Sequence, residues 1–537
     1  MPIHSRWQVP IDVCSLPTYI FGPPGSPLPD TVAFYDADRP DTHYLTHEAF
    51  RLWSSRFAAG LRKAGLQTGD RVLLFSGNSL FYPIVFMGIL MAGGVFSGAN
   101  PGYVERELAY QLKNSDAKFL ICADASLEMG VAAAQSIGMS KDRVFKFDDE
   151  LLEGTGSSRL GARNWNVLME SEAVGRGFRW YEPEDPKDTT CCLNYSSGTT
   201  GVPKGVMISH YAYVANTVQY SHLHTLRPDA EELAKKSKWL CFLPMYHAMA
   251  QTIYLAGGSK RRIPVYIMKK FDFIQVLESI QKYRITSLAL VPPIVVAFAK
   301  SPLTKKYDLS SITEVGSGAA PLGAEVTIEF EGLWPAGGIK MRQGWGMTEL
   351  TCSALGCDPR LTPPPGSVGE LNANCSAKIM NAECTNEVAK GERGELWISG
   401  PNVMKGYWEN PQATSETLVD DKDGRWMRTG DIAYIDKDGQ FFIVDRIKEL
   451  IKVKGNQVAP AELEGVLLDH PQLADACVVG VTVNGDELPR AYVVLKPGQK
   501  GDEKEVQDWL ATRSGKILRK ILRERAKQEV GDKEAKL

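Results

Sequence analysis

Short apolar runs alternate along this chain with longer stretches in which apolar residues recur at helical spacing. Val32-Ala33-Phe34-Tyr35 reads as a short strand, Asp36-Ala37-Asp38 as a turn, and Thr46 as the cap of a helix whose apolar positions run through Leu61. Arg71-Val72-Leu73-Leu74-Phe75 and Phe119-Leu120-Ile121-Cys122 read as buried strands, with a helix from Glu105 to Asn114 between them. The same rhythm returns at Trp239-Leu240-Cys241-Phe242-Leu243, at Phe273 to Tyr283 and at Ser287-Leu288-Ala289-Leu290-Val291. Alternation of apolar strands with helices predicts a parallel sheet covered by helices. From Gly366 to Gly439 the texture changes to short strands and turns, such as Glu395-Leu396-Trp397-Ile398, which predicts an antiparallel or barrel-like third unit. A further segment begins near Arg446, with charged residues around a short apolar core. Residues 1–30 are rich in Pro and Gly and read as an extended lead-in. No repeat of solenoid type is visible.

Phe81 to Ala99 is uncharged and long enough to cross a bilayer. Pro83, Gly88, Gly93 and Gly94 interrupt it, and no basic cluster flanks it. It reads as a buried helix over about Phe81–Ala92 running into a buried strand over Gly94–Gly98, so no membrane span is expected; a span is the alternative on hydropathy alone. At 537 residues the chain exceeds one compact core, and ~100–200 residues per domain predicts three or four units. A net charge of −3 without a basic stripe points to no nucleic-acid partner. The ten cysteines are scattered, with no C-x-x-C pair and no ligand-spaced His/Cys cluster. With no secretory signal at the N-terminus, they read as reduced thiols, and no structural zinc site is expected.

The stretch with the most chemistry is Tyr195-Ser196-Ser197-Gly198-Thr199-Thr200-Gly201-Val202-Pro203-Lys204-Gly205-Val206, between two apolar strand-like runs. Its glycines let the backbone turn and approach a ligand closely. Successive backbone N–H groups in such a turn make a concavity for anions, the hydroxyls add donors, and Lys204 adds a point charge suited to phosphate. The order strand–loop–strand, and the Gly after Lys204, set it apart from the P-loop G-x-x-x-x-G-K-[ST] that opens a helix.

Other candidates follow. His247, in Leu243-Pro244-Met245-Tyr246-His247, comes after a strand, where open α/β sheets bind ligands; a structural histidine is the plainer reading of its spacing. Val315-Gly316-Ser317-Gly318-Ala319-Ala320-Pro321-Leu322-Gly323 is a tight turn of small side chains that lets backbone lie against a flat ring. In Gln343-Gly344-Trp345-Gly346-Met347-Thr348-Glu349, Trp345 offers a face for stacking on a base, worth ~1–3 kcal/mol, and Thr348 a hydroxyl donor. Glu349 is a carboxylate of the kind that holds Mg²⁺ on a nucleotide, against the plainer reading of a solvated acid. Arg428-Thr429-Gly430-Asp431 sets a carboxylate on a turn, with capacity to accept from two hydroxyls. Lys448–Lys454 and Ser514-Gly515-Lys516-Ile517-Leu518-Arg519-Lys520 would, on charge alone, be solvated basic faces.

Together these strings, in this order, resemble the adenylate-forming enzymes (acyl- and aryl-CoA synthetases, luciferases, peptide-synthetase adenylation domains). The chain is most similar to the 4-coumarate–CoA ligase-like acyl-CoA synthetases, from about Phe34 to Arg523. The resemblance implies an α/β fold. A large N-terminal AMP-binding lobe (1–445) of helix-covered sheets plus a barrel-like subdomain is followed by a hinge (446–448) and a small mobile α+β C-terminal lobe (449–523). It implies that Ser196, Ser197, Gly198, Thr199, Thr200 and Lys204 hold the phosphates of ATP. Ala319, Gln343, Gly344 and Trp345 would meet the adenine, Asp431 and Arg446 the ribose, and Thr348 the α-phosphate. Lys452 and Gln457 would serve the nucleotide and Glu349 would bind Mg²⁺. His247 and Gly455 would border the coenzyme A thiol channel, and Lys448 would be the hinge. Met249, Ile253, Gly316, Ala319, Gly346, Cys352 and Ser353 match the acyl pocket. Gly316 stands where coumarate ligases place a lysine for the ring hydroxyl, so strict preference for 4-hydroxycinnamate is not expected. The catalytic set is Lys516, His247, Thr348 and Lys452, with Lys516 reaching the α-phosphate and acyl carboxylate in adenylation.

The chain departs from that family between Trp509-Leu510-Ala511 and Ser514, where a longer stretch with a further strand is usual, so the small lobe is expected to be shortened. The implied reaction is ATP-dependent ligation of an aryl, arylalkyl or medium-chain carboxylic acid to coenzyme A through acyl-AMP. The alternatives are adenylation for a carrier protein, although no carrier domain is visible, and a non-catalytic nucleotide-binding relative with a shortened lobe. The tail (524–537) ends Ala535-Lys536-Leu537, a variant of the Ser-Lys-Leu address, which predicts a peroxisomal import receptor as partner and a peroxisomal location; a cytoplasmic one is the alternative.

Overall fold

The computed structural model describes residues 1–148, 150, 157–196, 202–335, 337–453, 456–468, 470–483, 486–496 and 498–513. Among the described residues, two large sheets carry helices on their faces and a third is antiparallel.

The eight-stranded sheet runs Gly406–Tyr407, Lys204–Ser209, Thr190–Ser196, Val95–Ala99, Arg71–Phe75, Ala117–Ala123, Val144–Phe147, Arg163–Asn164. It is parallel from Thr190–Ser196 onward, while Lys204–Ser209 and Gly406–Tyr407 pair antiparallel at its edge. The glycine-rich stretch therefore joins two hydrogen-bonded antiparallel neighbours, as strand–loop–strand predicts. The seven-stranded sheet runs Met341–Gln343, Glu314–Ser317, Ser287–Leu290, Trp239–Cys241, Val265–Ile267, Val32–Asp36, Tyr44–Thr46, antiparallel only at the last pair. The strand expected over 239–243 ends at Cys241, because the chain turns there toward the loop that carries His247.

The segment Phe81–Ala99 is a helix, Tyr82–Met91, buried at every position, followed by the strand Val95–Ala99. A helix with no polar face belongs inside a protein as readily as in lipid, and among the described residues no helix is long and apolar enough to cross a membrane. It crosses the helix His47–Lys63, which Thr46 caps through its side chain. Gly88 permits the contact: a Cβ there would stand 2.9 Å from the Ser54 carbonyl oxygen.

The lead-in is more ordered than its composition suggests. Ile3–His4 pairs with Ser376–Met380 at the edge of the antiparallel sheet, and Leu16–Phe21 is a helix capped by Ser15. Proline at the first helical turn is compatible with that helix. The third sheet is antiparallel, in the order Ile3–His4, Ser376–Met380, Gly394–Ser399, Gly424–Ile435, Leu418–Asp421, and Phe441–Arg446 also pairs with Gly424–Ile435. After Arg446 come a hairpin, Ile451–Val453 with Asn456–Val458, the helix Pro460–Leu468, the long hairpin Leu473–Val483 with Asp486–Leu495, and the helix Glu503–Arg513. Leu463, Leu467, Leu473 and Val478 form its small separate core.

Candidate active site

The residues that the sequence marks converge where three elements end. Ser196 closes one strand of the glycine-rich hairpin and Lys204 opens the other, paired directly across. Ser196 Oγ donates to Glu349 Oε1 at 3.0 Å, and Tyr407 OH donates to the same oxygen at 2.8 Å. Lys204 Nζ lies over the Tyr407 ring, 4.5 Å from its centroid. Glu349 is 5% exposed, which rules out a solvated surface acid. Both bonds fall on Oε1, and Oε2 carries neither. Tyr407 was not marked in the sequence. Its edge strand reaches the site only through pairing with Lys204–Ser209, and no local pattern announces that.

A second cluster forms on Asp431. Trp345 Nε1 donates to Asp431 Oδ2 at 2.8 Å, and Arg446 Nε stands 3.4 Å from Oδ1. Asp431 lies within the strand Gly424–Ile435 and not on the turn that Arg428-Thr429-Gly430-Asp431 predicts, because pairing with Phe441–Arg446 keeps the chain extended there; Arg446 is its cross-strand partner, so register alone brings the two together. Burial pushes the Asp431 carboxyl up to about 6, against the opposing pull of Arg446 and of the Trp345 hydrogen bond.

A cavity of about 190 Å³ borders these clusters through Trp345 and Thr348. Met249, Ile253, Gly316, Ala319, Gly346, Cys352 and Ser353 all line it, as do His247, Gln343, Gly344, Trp345 and Thr348. Ile253 sits in an eight-residue π-helical segment, Gln251–Gly258, a form concentrated at functional sites. His247 caps the short helix before it, its Nδ1 accepting from Met249 N at 3.3 Å, and the residue is exposed at the cavity edge. Gly344 N donates to Ser317 O at 2.9 Å, which ties the two small-residue loops together. Ala319 holds a φ of 72°, left-handed backbone that glycine favours, and such strain is characteristic of ligand loops. A Cβ at Gly346 would stand 1.9 Å from the Cys352 carbonyl oxygen, so only glycine fits. Lys448 is exposed, in the turn after Phe441–Arg446. Lys452 and Gln457 pair across the hairpin Ile451–Val453 with Asn456–Val458. Ser197, Gly198, Thr199, Thr200, Gly455, Lys516 and the tail lie outside the described residues.

Clusters and a cavity at the ends of open α/β strands define a ligand-binding enzyme of the nucleotide-dependent kind. The sequence model of the AMP-binding enzyme family matches residues 26–408, and that of the AMP-binding enzyme C-terminal domain matches 462–526. The chain belongs to the AMP-binding enzyme family. It is 37% identical over 503 residues to the probable 4-coumarate–CoA ligase 1 of Dictyostelium discoideum, covering 90% of this chain and 89% of that protein. It is 38% identical over 470 residues to the phenylacetyl-CoA ligase epaB of Aspergillus niger, covering 86% and 84%. The crystal structure of ATP-bound MatB from Rhodopseudomonas palustris matches with a TM-score of 0.79 at 26% identity, covering 94% of this chain and 92% of that one.

Proposed function

We propose that this protein is an ATP-dependent acid–CoA ligase that forms an acyl-AMP and then an acyl-CoA thioester from an aryl, arylalkyl or medium-chain carboxylic acid. One observation carries the reading: an apolar cavity of acyl dimensions opens beside the buried Trp345–Asp431 and Ser196–Glu349 clusters.

In the first half-reaction the substrate carboxylate attacks the α-phosphorus of ATP. A carboxyl O–P bond forms, the bond to the bridging oxygen breaks, and pyrophosphate leaves. Lys204, with the hydroxyls of Ser196, Ser197, Thr199 and Thr200 and the backbone at Gly198, is suited to the outgoing phosphates. Trp345 offers its face to adenine and Asp431 accepts from the ribose hydroxyls. Gln343, Gly344 and Ala319 line the base, and Thr348 donates to the α-phosphate. The residues present fit Mg²⁺: Glu349 is a hard oxygen ligand with one oxygen engaged by neither hydrogen bond. When bound, the ion would neutralise charge on the phosphate oxygens. Lys516 supplies a cation to the oxygens where charge develops.

In the second half-reaction the thiolate of coenzyme A attacks the acyl carbonyl. The thioester forms and AMP leaves, the small lobe having turned about Lys448. His247 and Gly455 border the thiol path. Ala535-Lys536-Leu537 supports a peroxisomal import receptor as partner, which a fluorescent-protein fusion with and without these residues would test.

The test of the ligase is pyrophosphate release with ATP, Mg²⁺ and a panel of aryl and fatty acids, followed by mass spectrometry of the CoA product. Acid-dependent release with thioester formation is expected. Release of pyrophosphate with no thioester would refute transfer to coenzyme A.

A further inference from the structure

The cavity runs down one face of three parallel strands, Ser287–Leu290, Glu314–Ser317 and Met341–Gln343. Register sets its rungs: Ser287 lies opposite Glu314, Ala289 opposite Gly316, and Gly316 opposite Arg342. The nucleotide-side loops leave these strands at Gly318 and Gly344. Residues two apart share a face and are ~6.6 Å apart, so Glu314 lies ~13 Å below Gly318. The wall above is small and apolar; the far end is not.

That far end holds a carboxylate and an imidazole, and a guanidinium rooted one rung above, opposite Gly316, acts electrostatically on the carboxylate. Glu314 Oε1 is 3.2 Å from His224 Nδ1, with side chains 22% and 11% exposed. Arg342 Nη2 donates to Pro359 O at 2.8 Å, while its Nε is buried without a partner among the described residues. Asn372 Oδ1, also on the cavity wall, is buried and unpartnered in the same way. None of these was marked in the sequence, and the ligase chemistry at the other end uses none of them. A plain hydrocarbon tail would bury them against carbon, which costs free energy for every polar atom left unpaired.

The charges decide what tail fits. A second carboxylate would sit against Glu314, and an ammonium against Arg342, which with Arg261 acts electrostatically on Glu314. A neutral group that both donates and accepts satisfies both sides, donating a hydrogen bond to the Glu314 carboxylate, which His224 Nδ1 also faces, and accepting one from Arg342. The depth of Glu314, four residues of strand below Gly318, exceeds the reach of a single-ring cinnamate, while Arg342 starts two residues below Gly344. We propose that the acid carries a hydroxyl at its far end, on a chain longer than a cinnamate, and that Glu314, His224 and Arg342 determine this specificity. The proposal rests on the ligase reading for its reaction but on the cavity alone for its ranking of acids.

The experiment compares decanoate with its ω-hydroxy, ω-carboxy and ω-amino counterparts. Binding is read by calorimetry with a non-hydrolysable ATP analogue present, and turnover separately by pyrophosphate release. The hydroxy acid is expected to bind roughly 10- to 100-fold more tightly than decanoate, as one hydrogen bond to a charged group provides, with the diacid and amino acid weaker than decanoate. In Glu314→Gln and Arg342→Met the hydroxy-to-plain ratio falls toward one. Equal or tighter binding of decanoate, a preferred diacid, or binding of none of the four would overturn the proposal, even if both variants fail to fold. The predicted ranking without pyrophosphate release from any acid would uphold the pocket and refute the ligase.

Discussion

The indole Nε1 of Trp345 donates to Oδ2 of Asp431 across 2.8 Å, although 86 residues separate them in the chain. The bond binds the loop after one sheet to the long strand Gly424–Ile435 of another. It also helps keep a buried carboxylate ionised, because a donor to the charged form lowers its pKa.

The Asp431 carboxyl is held at about 6, above its ordinary 3.8. Nucleotide affinity is therefore expected to fall as pH drops through about 6, since a protonated carboxyl gives up part of its capacity to accept from the ribose. Trp345→Phe removes the donor and should move that midpoint upward. Titration calorimetry with AMP from pH 5 to 8 reads both; a flat profile would sink the assignment.

The same shift has a stability consequence. With the folded-state pKa raised, the folded protein binds more protons than the unfolded chain between about 3.8 and 6, so stability falls as pH rises through that window. Asp431→Asn should thus unfold at higher temperature than the parent at pH 7.5, by ~2–3 kcal/mol of stability, while binding AMP more weakly. A lower Tm at pH 7.5 would contradict the burial argument.

Glu349→Gln keeps the shape and the acceptor for Ser196 and Tyr407 but removes the charge. Pyrophosphate release is expected to drop by ~10²–10³, as for loss of a preorganised charge at developing charge, with little change in thermal unfolding. Tyr407→Phe should cost ~1 kcal/mol in stability through one lost hydrogen bond and have a smaller effect on rate. Equal rates for Glu349→Gln and the parent would remove Glu349 from the site.

Gly316 and Gly346 both line the cavity but differ in tolerance. A Cβ at Gly316 meets only the Arg342 carbonyl oxygen, at 3.5 Å, so Gly316→Ala should fold normally. Gly316→Leu should lower kcat/KM for long acids more than for short ones by filling the rung between Ala289 and Arg342. Gly346→Ala, with 1.9 Å to a backbone oxygen, should disturb the fold or abolish activity with every acid. Circular dichroism and a chain-length series distinguish the two positions.

Lys516→Ala should separate the half-reactions. Pyrophosphate release is expected to fall by ~10²–10³, whereas thioester formation from preformed acyl-AMP and CoA should continue. Parallel loss of both would show that Lys516 serves the whole cycle.

Much of the architecture was legible along the chain because strands buried on both faces are continuous apolar runs and helices repeat at 3.6. The helix from Glu105 to Asn114 and the one from Phe273 to Tyr283 match to the residue. The lead-in was not legible: Leu16–Phe21 is too short for periodicity, and Ile3–His4 is a strand only because Ser376–Met380 offers it an edge. Tyr407 was missed for the same reason, since a two-residue strand has no pattern of its own.

The chain by itself marked candidates such as Lys204, Trp345, Glu349 and Asp431, because glycine-rich stretches, a tryptophan between glycines and carboxylates beside small residues are local patterns that suit a nucleotide. Tertiary structure alone decided which of them meet. Trp345 touches Asp431, Ser196 touches Glu349, and Glu314 faces His224 because packing brings the loop after one sheet, a short helical turn and a helix end against strands far away in the chain. Such pairings depend on sheet order, a property of the whole packed molecule that no window of sequence contains.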